Sequence, residues 1–173
     1  MAKRIRKAMK HDIFEDKLCG IVEVDSAIIK ADGGQATGNV TYDAKDVLGI
    51  TERGGLLKMV VLERLTKANI KRVIAENFGD VKQIYSDSCW KLRFLSEYGK
   101  HDYINHWLTF AEGDVHTNYV ESAWSLFKRG LIGMYHHVSA QCLQEYLDEF
   151  AFRYSHRHEK AQMLDLVLAN CQG

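Results

Sequence analysis

The sequence predicts one mixed α/β domain, and three observations carry that prediction. The run Leu-Cys-Gly-Ile-Val-Glu-Val-Asp (18–25) has the length and β-branched content of a buried strand. Two further strand-like runs, 46–52 and 56–63, flank Arg53-Gly54-Gly55, which reads as a hairpin with a short glycine turn. Beyond residue 66 the apolar spacing switches repeatedly between helical and strand periods, so helices and strands interleave.

Taken in order, residues 1–10 hold Lys3, Arg4, Arg6, Lys7 and Lys10. They read as a basic arm, the end of a helix with Ile5 and Met9 on one side. Its use is either a solvated terminus or contact with a phosphate backbone. In the run 18–25, alternation puts Cys19, Ile21, Glu23 and Asp25 on one face and Gly20, Val22 and Val24 on the other. Asp25 closes that expected strand, as a turn residue or as an acid delivered by a sheet. Residues 31–39 read as a flexible loop. Thr66 caps a helix carrying Ile70, Val73, Ile74 and Phe78, with Gly79 as its stop. A strand over 81–85 ends at Ser86-Asp87-Ser88. Trp90, Phe94, Leu95 and Tyr98 mark the next helix, closed by Gly99, and 102–106 is a fifth strand. A looser segment, 107–117, leads to a helix starting near Asn118. Ser139 caps another helix with Leu143, Tyr146, Leu147, Phe150 and Tyr154 on one face, and a last helix covers 158–169.

Composition narrows the class. The chain has 173 residues, 46% apolar and 27% charged, which is enough for a core and typical of a soluble globular domain. The formal net charge is zero, so no global charge demands a polyanion, although local patches can still bind one. No apolar run reaches membrane-spanning length, and no signal-peptide core stands at the start, so the expected location is the cytoplasm. Cys19, Cys89, Cys142 and Cys171 form no close pair, which excludes zinc-ribbon and thioredoxin spacings and suggests reduced packing residues.

The stretch His-Thr-Asn-Tyr-Val-Glu-Ser-Ala-Trp-Ser-Leu-Phe-Lys-Arg (116–129) is the most informative. Val120, Trp124, Phe127 and Leu131 form an apolar helical stripe. Glu121, Ser125 and Lys128 form an adjacent polar stripe, with the acid and the base about 10 Å apart along the axis. Asn118 followed by Glu121 also fits a reciprocal helix cap. Three carboxylates thus stand at ends of elements: Asp25, Asp87 and Glu121. Hard oxygen ligands of this kind suit Mg²⁺, and three converging acids without cations would repel and raise their own pKa values.

These residues and their wording resemble the ISXO-type bacterial insertion-sequence transposases. The resemblance rests on Gly-Ile-Val-Glu-Val-Asp (20–25), Glu-Arg-Gly-Gly (52–55), the stretch 116–129, Gly-Met-Tyr-His-His-Val-Ser (133–139) and Tyr-Leu-Asp-Glu-Phe-Ala-Phe-Arg-Tyr (146–154). It implies an RNase H-like fold: a five-stranded mixed sheet flanked by helices, with extra C-terminal helices. It implies a DDE triad of Asp25, Asp87 and Glu121 that binds two Mg²⁺ or Mn²⁺ ions. The implied activity is metal-dependent cleavage of transposon ends and strand transfer into target DNA. Lys128, seven residues after Glu121, matches a basic residue that such enzymes carry on the same helix, and Arg129, His116 and Asn118 are further DNA-contact candidates. For His116 the alternative is orienting the loop, and His136 and His137 are as well explained by capping or packing. The partners implied are transposon-end and target DNA and a homodimer or larger assembly, nucleoid-associated in a bacterium.

Three departures qualify this. The family usually begins with a cysteine-paired zinc ribbon, and none is present here. Residues 1–15 are therefore expected to be a basic arm left from an upstream DNA-binding region, with 16–173 the catalytic domain. The residues after Asp25 are Ser26-Ala27-Ile28, where an acid and an aromatic are common, and Ser155 stands where Asn usually follows Arg-Tyr. Two alternatives follow: an inactive remnant that only binds DNA or oligomerises, and an RNase H-like nuclease that cuts without joining.

Overall fold

The apolar alternation that begins at Leu18 continues well past Asp25, and this shapes the sheet. The computed structural model describes residues 2–36, 39–104, 113–136 and 138–171, without the side chains of 2–3, 11–15, 32–36, 39–42 and 160. Strand β1 (Leu18–Ala36) pairs antiparallel with β2 (Asn39–Glu52), which pairs antiparallel with β3 (Leu57–Leu62). The expected loop at 31–39 therefore falls mostly inside a long hairpin, and Asp25 lies within a strand rather than at its end. Residues 27–32 all find ladder partners on 42–47, and buried Ile29 and Ala31 anchor the extension. The glycines there mark only a register shift between Asp32 and Gln35.

Strands β4 (Phe78–Asp87) and β5 (Lys100–Ile104) run parallel to β1, giving the order β3-β2-β1-β4-β5. Three antiparallel strands followed by two parallel ones on the far side of β1 make the RNase H-like α/β arrangement. The fifth strand starts two residues earlier than expected, and 105–112 lie outside the described residues.

The two faces of β1 feed two cores. Val22 and Val24 join Leu48, Ile50, Leu62 and Ile84 beneath α2 (Lys67–Asn77) and a 3-10 helix (Trp90–Glu97). Ile29 and Ala31 join Val47, Leu57 and Met59 beneath α3 (Asn118–Gly130) and α4 (Leu143–Ser155). The odd-numbered face of β1 therefore meets α3, and Glu23 and Asp25 are on it. Thr66 caps α2 as expected, its hydroxyl accepting from Asn69 N at 3.3 Å. That helix stops at Asn77, before Gly79, because Phe78 is already extended. Only Leu92, Phe94 and Leu95 of the next segment are buried, so Trp90 points outward and the segment winds as a 3-10 helix. A π-helical turn (Leu131–Tyr135) follows α3, and Ser139 sits in a turn, its carbonyl accepting from Cys142 N, so that α4 begins at Leu143.

Edge strand β3 is covered by α4. Leu57 N donates to Ser155 Oγ at 3.0 Å and Val61 N to Gln144 Oε1 at 2.8 Å, while Gln144 Nε2 donates to Met59 O at 2.8 Å. These side chains occupy backbone groups that an open edge would offer to another strand. Helix α1 (Ala2–Glu15) and α5 (Lys160–Asn170) close this side. The basic amino-terminal segment is thus helical, and Arg6 docks it: Arg6 pairs with Glu149 at 2.9 Å and stacks on Tyr146 at 3.9 Å. No described helix is long and apolar enough to cross a membrane.

Candidate active site

Strand register builds the site from the bottom. Parallel pairing places Glu23 beside Tyr85 and Val24 beside Ser86, so Asp25 is carried next to Asp87 on the face that meets α3. Adjacent strands lie about 4.8 Å apart, which makes the two carboxylates close neighbours. Asp25 also pairs across β2 with Gly49, and Gly49 is where α3 comes down onto the sheet. A Cβ there would lie 2.6 Å from the Trp124 ring and 3.0 Å from Val120, so only glycine permits the helix this close. One turn before Trp124 on that helix stands Glu121.

The electrostatics register this convergence. The Asp25 carboxyl is pushed up from 3.8 to about 7, first by burial, then by the negative charge of Asp87 and, more weakly, of Glu121. A bond from Ser26 N to Oδ1, 2.7 Å, only partly offsets the rise. Asp87 Oδ1 accepts from Cys89 N at 3.1 Å. Trp124 is 4% exposed, and its Nε1–H, buried on the Asp25 side, has no acceptor in good hydrogen-bond geometry. It sits close enough to favour the ionised form of Asp25 without completing a bond.

The reciprocal cap expected between Asn118 and Glu121 is not what starts this helix. Thr117, not Asn118, is the N-cap residue. Its carbonyl accepts from Glu121 N at 3.0 Å and its hydroxyl donates to Glu121 Oε1 at 2.5 Å. A carboxylate offers about four lone-pair positions, so this bond is compatible with a second role.

The sequence reading missed the residue that ties these parts together. Glu23 is fully buried. Its Oε1 takes Arg53 Nε at 2.9 Å and lies 3.2 Å from His116 Nδ1. Its Oε2 takes the backbone N–H groups of Tyr119 at 2.8 Å and Val120 at 3.2 Å. Arg53 Nη2 reaches the carbonyls of Asp114 and His116, and its guanidinium lies 4.4 Å from the centre of the Tyr85 ring. Glu23, Arg53 and His116 each lie in one of the motifs on which the resemblance rests, but nothing in those motifs pairs them.

A family model for the ISXO2-like transposase domain matches residues 17–155, from the start of the sheet to the last residue of α4. The chain belongs to this family. Two solved structures are similar in shape: a pre-cleavage Mos1 transpososome (11% identity, TM-score 0.44) and the Mos1 strand transfer complex (14% identity, TM-score 0.45). Each alignment covers 97% of this chain, and 62% and 61% respectively of the other, so this chain spans about three-fifths of their length. No curated protein matches.

Within the transposase domain, the other sequence-predicted residues fall in different places. His116 is part of the Glu23 network and stacks on Tyr119 at 6.1 Å. Lys128 is exposed on the flank of α3 that carries Glu121, nearly two turns on, and exposed Arg129 is stepped about 100° around the axis from it. Asn118 is exposed and lines a shallow cleft with Ser122, Tyr154 and Arg157, on the flank facing α4. His136 is exposed and adopts φ 54°, and His137 lies outside the described residues. A cleft of about 780 Å³ between α1, α4 and α5 shares no residue with the carboxylates.

The donor set fits a divalent cation by its chemistry. Asp25, Asp87 and Glu121 present hard oxygens, and the part of the Asp25 shift that comes after burial, the repulsion by Asp87 and Glu121, is one that positive charge would relieve. Among the described residues no three His, Cys, Asp or Glu side chains are placed so that they could together hold one metal ion. The stronger influence of Asp87 on Asp25 marks that pair as the tighter half, with Glu121 further off.

Proposed function

We propose that this domain cuts transposon-end DNA and joins the freed 3′-hydroxyl to target DNA, with Asp25, Asp87 and Glu121 as its triad. The observation that carries the reading is the Asp25 carboxyl held at about 7 by burial and by the charges of Asp87 and Glu121. Asp87 on β4 and Glu121 on α3 both act on Asp25 of β1, and a divalent cation would relieve that repulsion. Strongly perturbed acids of this kind cluster at functional sites. Asp25 and Asp87 would hold divalent metal, Mg²⁺ or Mn²⁺, with Glu121 completing the site. When bound, a pair of such ions activates an attacking water or hydroxyl and stabilises the leaving oxygen of an in-line displacement.

The chain's own residues do the rest. Asp25 must lose its proton before it can ligate, so cation affinity rises with pH up to about 7 and levels off above it. Buried Trp124 packs on Gly49, the cross-strand partner of Asp25. Lys128 meets a DNA phosphate as a point charge beside the carboxylates. Partners are transposon-end and target DNA, with a second copy of the chain.

The test is a strand-transfer assay with Mg²⁺, a 3′-hydroxyl oligonucleotide donor from the element's end and a plasmid target. Wild-type protein is expected to join them, and Asp25→Asn, near-isosteric but uncharged, is expected to lose at least about a thousandfold, the scale of removing a central electrostatic group. Cleavage without joining would make it a nuclease. Equal turnover in Asp25→Asn would remove Asp25 from the mechanism.

A further inference from the structure

We propose that Glu23 is the positioning residue of this site, fixing where Glu121 stands relative to Asp25. The inference rests on the triad reading above and adds a residue that never touches the reacting atoms.

The amino end of a helix carries N–H groups without intrahelical partners, and a side chain of the helix's own cap residue ordinarily takes one. In α3 that local solution is absent: Thr117 makes no side-chain bond to the helix backbone, because its hydroxyl is on Glu121. The cap comes instead from the sheet. Glu23 Oε2 receives the N–H groups of Tyr119 and Val120, the two residues immediately before Glu121. Glu23 itself stands on the central strand two residues before Asp25 and on the same face, roughly 6.6 Å along it. One buried carboxylate therefore links the strand of the first acid to the helix turn of the third. Arg53 braces its other oxygen from the β2–β3 turn at 2.9 Å, and His116 stands 3.2 Å from it. Packing of Trp124 on Gly49 sets how close α3 comes to the sheet. The Glu23 bonds set where along β1 its first turn lies.

Glu23→Gln keeps the shape and one carbonyl acceptor but removes the charge that holds Arg53 and both helix N–H groups together. The variant is checked for folding by circular dichroism, and Mn²⁺ alone is titrated by electron paramagnetic resonance. The expected result is a folded protein whose Mn²⁺ affinity falls roughly tenfold or more, as when a group supporting metal ligands is lost. The turnover number for strand transfer should fall with it, and KM for DNA should stay within about twofold, since phosphate contacts are untouched. Amide exchange at Tyr119 and Val120 should quicken. If Glu23→Gln does not fold, Glu23→Asp, charged but one methylene shorter, is expected to show the same loss of Mn²⁺ affinity. Wild-type Mn²⁺ affinity in a folded Glu23 variant overturns the proposal, whatever its melting temperature. Asp25→Asn separates the two readings. If it abolishes Mn²⁺ binding while Glu23→Gln leaves binding intact, only the positioning role fails. If Asp25→Asn binds Mn²⁺ normally, the triad reading fails.

Discussion

Glu23 and Asp25 occupy the same face of the same strand, two residues apart, and their surroundings are opposite. Glu23 is fully buried, yet an arginine and two helix N–H groups donate to it. Asp25 receives one backbone N–H and faces two other acids, and its carboxyl is pushed up to about 7. The contrast shows how a fold places frustrated charge. A satisfied carboxylate holds the first turn of α3, and beside it stands one whose acidic neighbours repel it. Burial alone does not separate these two acids; the sign of their neighbours does.

The comparison breaks most visibly at Glu23. Replacing it with Ala takes the carboxylate from Arg53 Nε and from two helix N–H groups, and removing one partner of a buried ion pair costs about 3–5 kcal/mol. Urea unfolding should show that loss with or without divalent cation. Asp25→Asn should do the reverse when no cation is present. An acid whose folded pKa lies above its unfolded value binds more protons in the native state, so stability falls as pH rises between about 4 and 7. The asparagine variant lacks this term. It should exceed the wild type by on the order of 2 kcal/mol at pH 8, the full shift being discounted because Asp25 is only partly buried. Near pH 4 the two should converge. Mg²⁺ should raise the melting temperature of the wild type at pH 8 and not that of Asp25→Asn. A wild type as stable at pH 8 as the variant, without cation, would mean that Asp25 is not strained.

Gly49 sharpens the same comparison from the sheet side. A methyl group there meets the Trp124 ring at 2.6 Å, and overpacking of this kind costs about 1–3 kcal/mol. Because the displaced helix carries Glu121, Gly49→Ala should also weaken Mn²⁺ binding in a metal titration. Unchanged melting and unchanged Mn²⁺ binding would mean that α3 does not rest on this glycine.

Much of this was legible in the chain. The strand around Val22 and Val24, the hairpin at Arg53 and the helix after Asn118 follow from local apolar periodicity, which single positions report faithfully. The extension of β1 through residues 31–36 was not, because a glycine-rich segment with ladder partners reads the same as a loop. Asp87 and Glu121 could be singled out by their places at element ends, whereas Asp25 was marked by an expected strand end that the structure puts inside β1. Glu23 could not, since a carboxylate between two valines on an alternating strand gives no hint that its partners come from residues 53, 116, 119 and 120. Long-range polar networks are set by topology, and topology was read here only as an order of elements.

Ser155 gives the smallest expected effect and a control for all the others. It departs from the asparagine usual after Arg-Tyr in such sequences, and its hydroxyl oxygen accepts from Leu57 N at 3.0 Å, on the edge strand and away from the carboxylates. Leu57 is fully buried, so Ser155→Ala leaves a backbone donor without its acceptor, at a cost of about 1–3 kcal/mol, and the half-buried position favours the lower end. Ser155→Asn restores an acceptor and should recover most of that loss. Neither variant moves β1 or the first turn of α3, so Mn²⁺ affinity should equal the wild type in both. A fall in Mn²⁺ affinity in Ser155→Ala would show that metal binding tracks general stability, and the separate roles assigned to Glu23 and Asp25 would lose their basis.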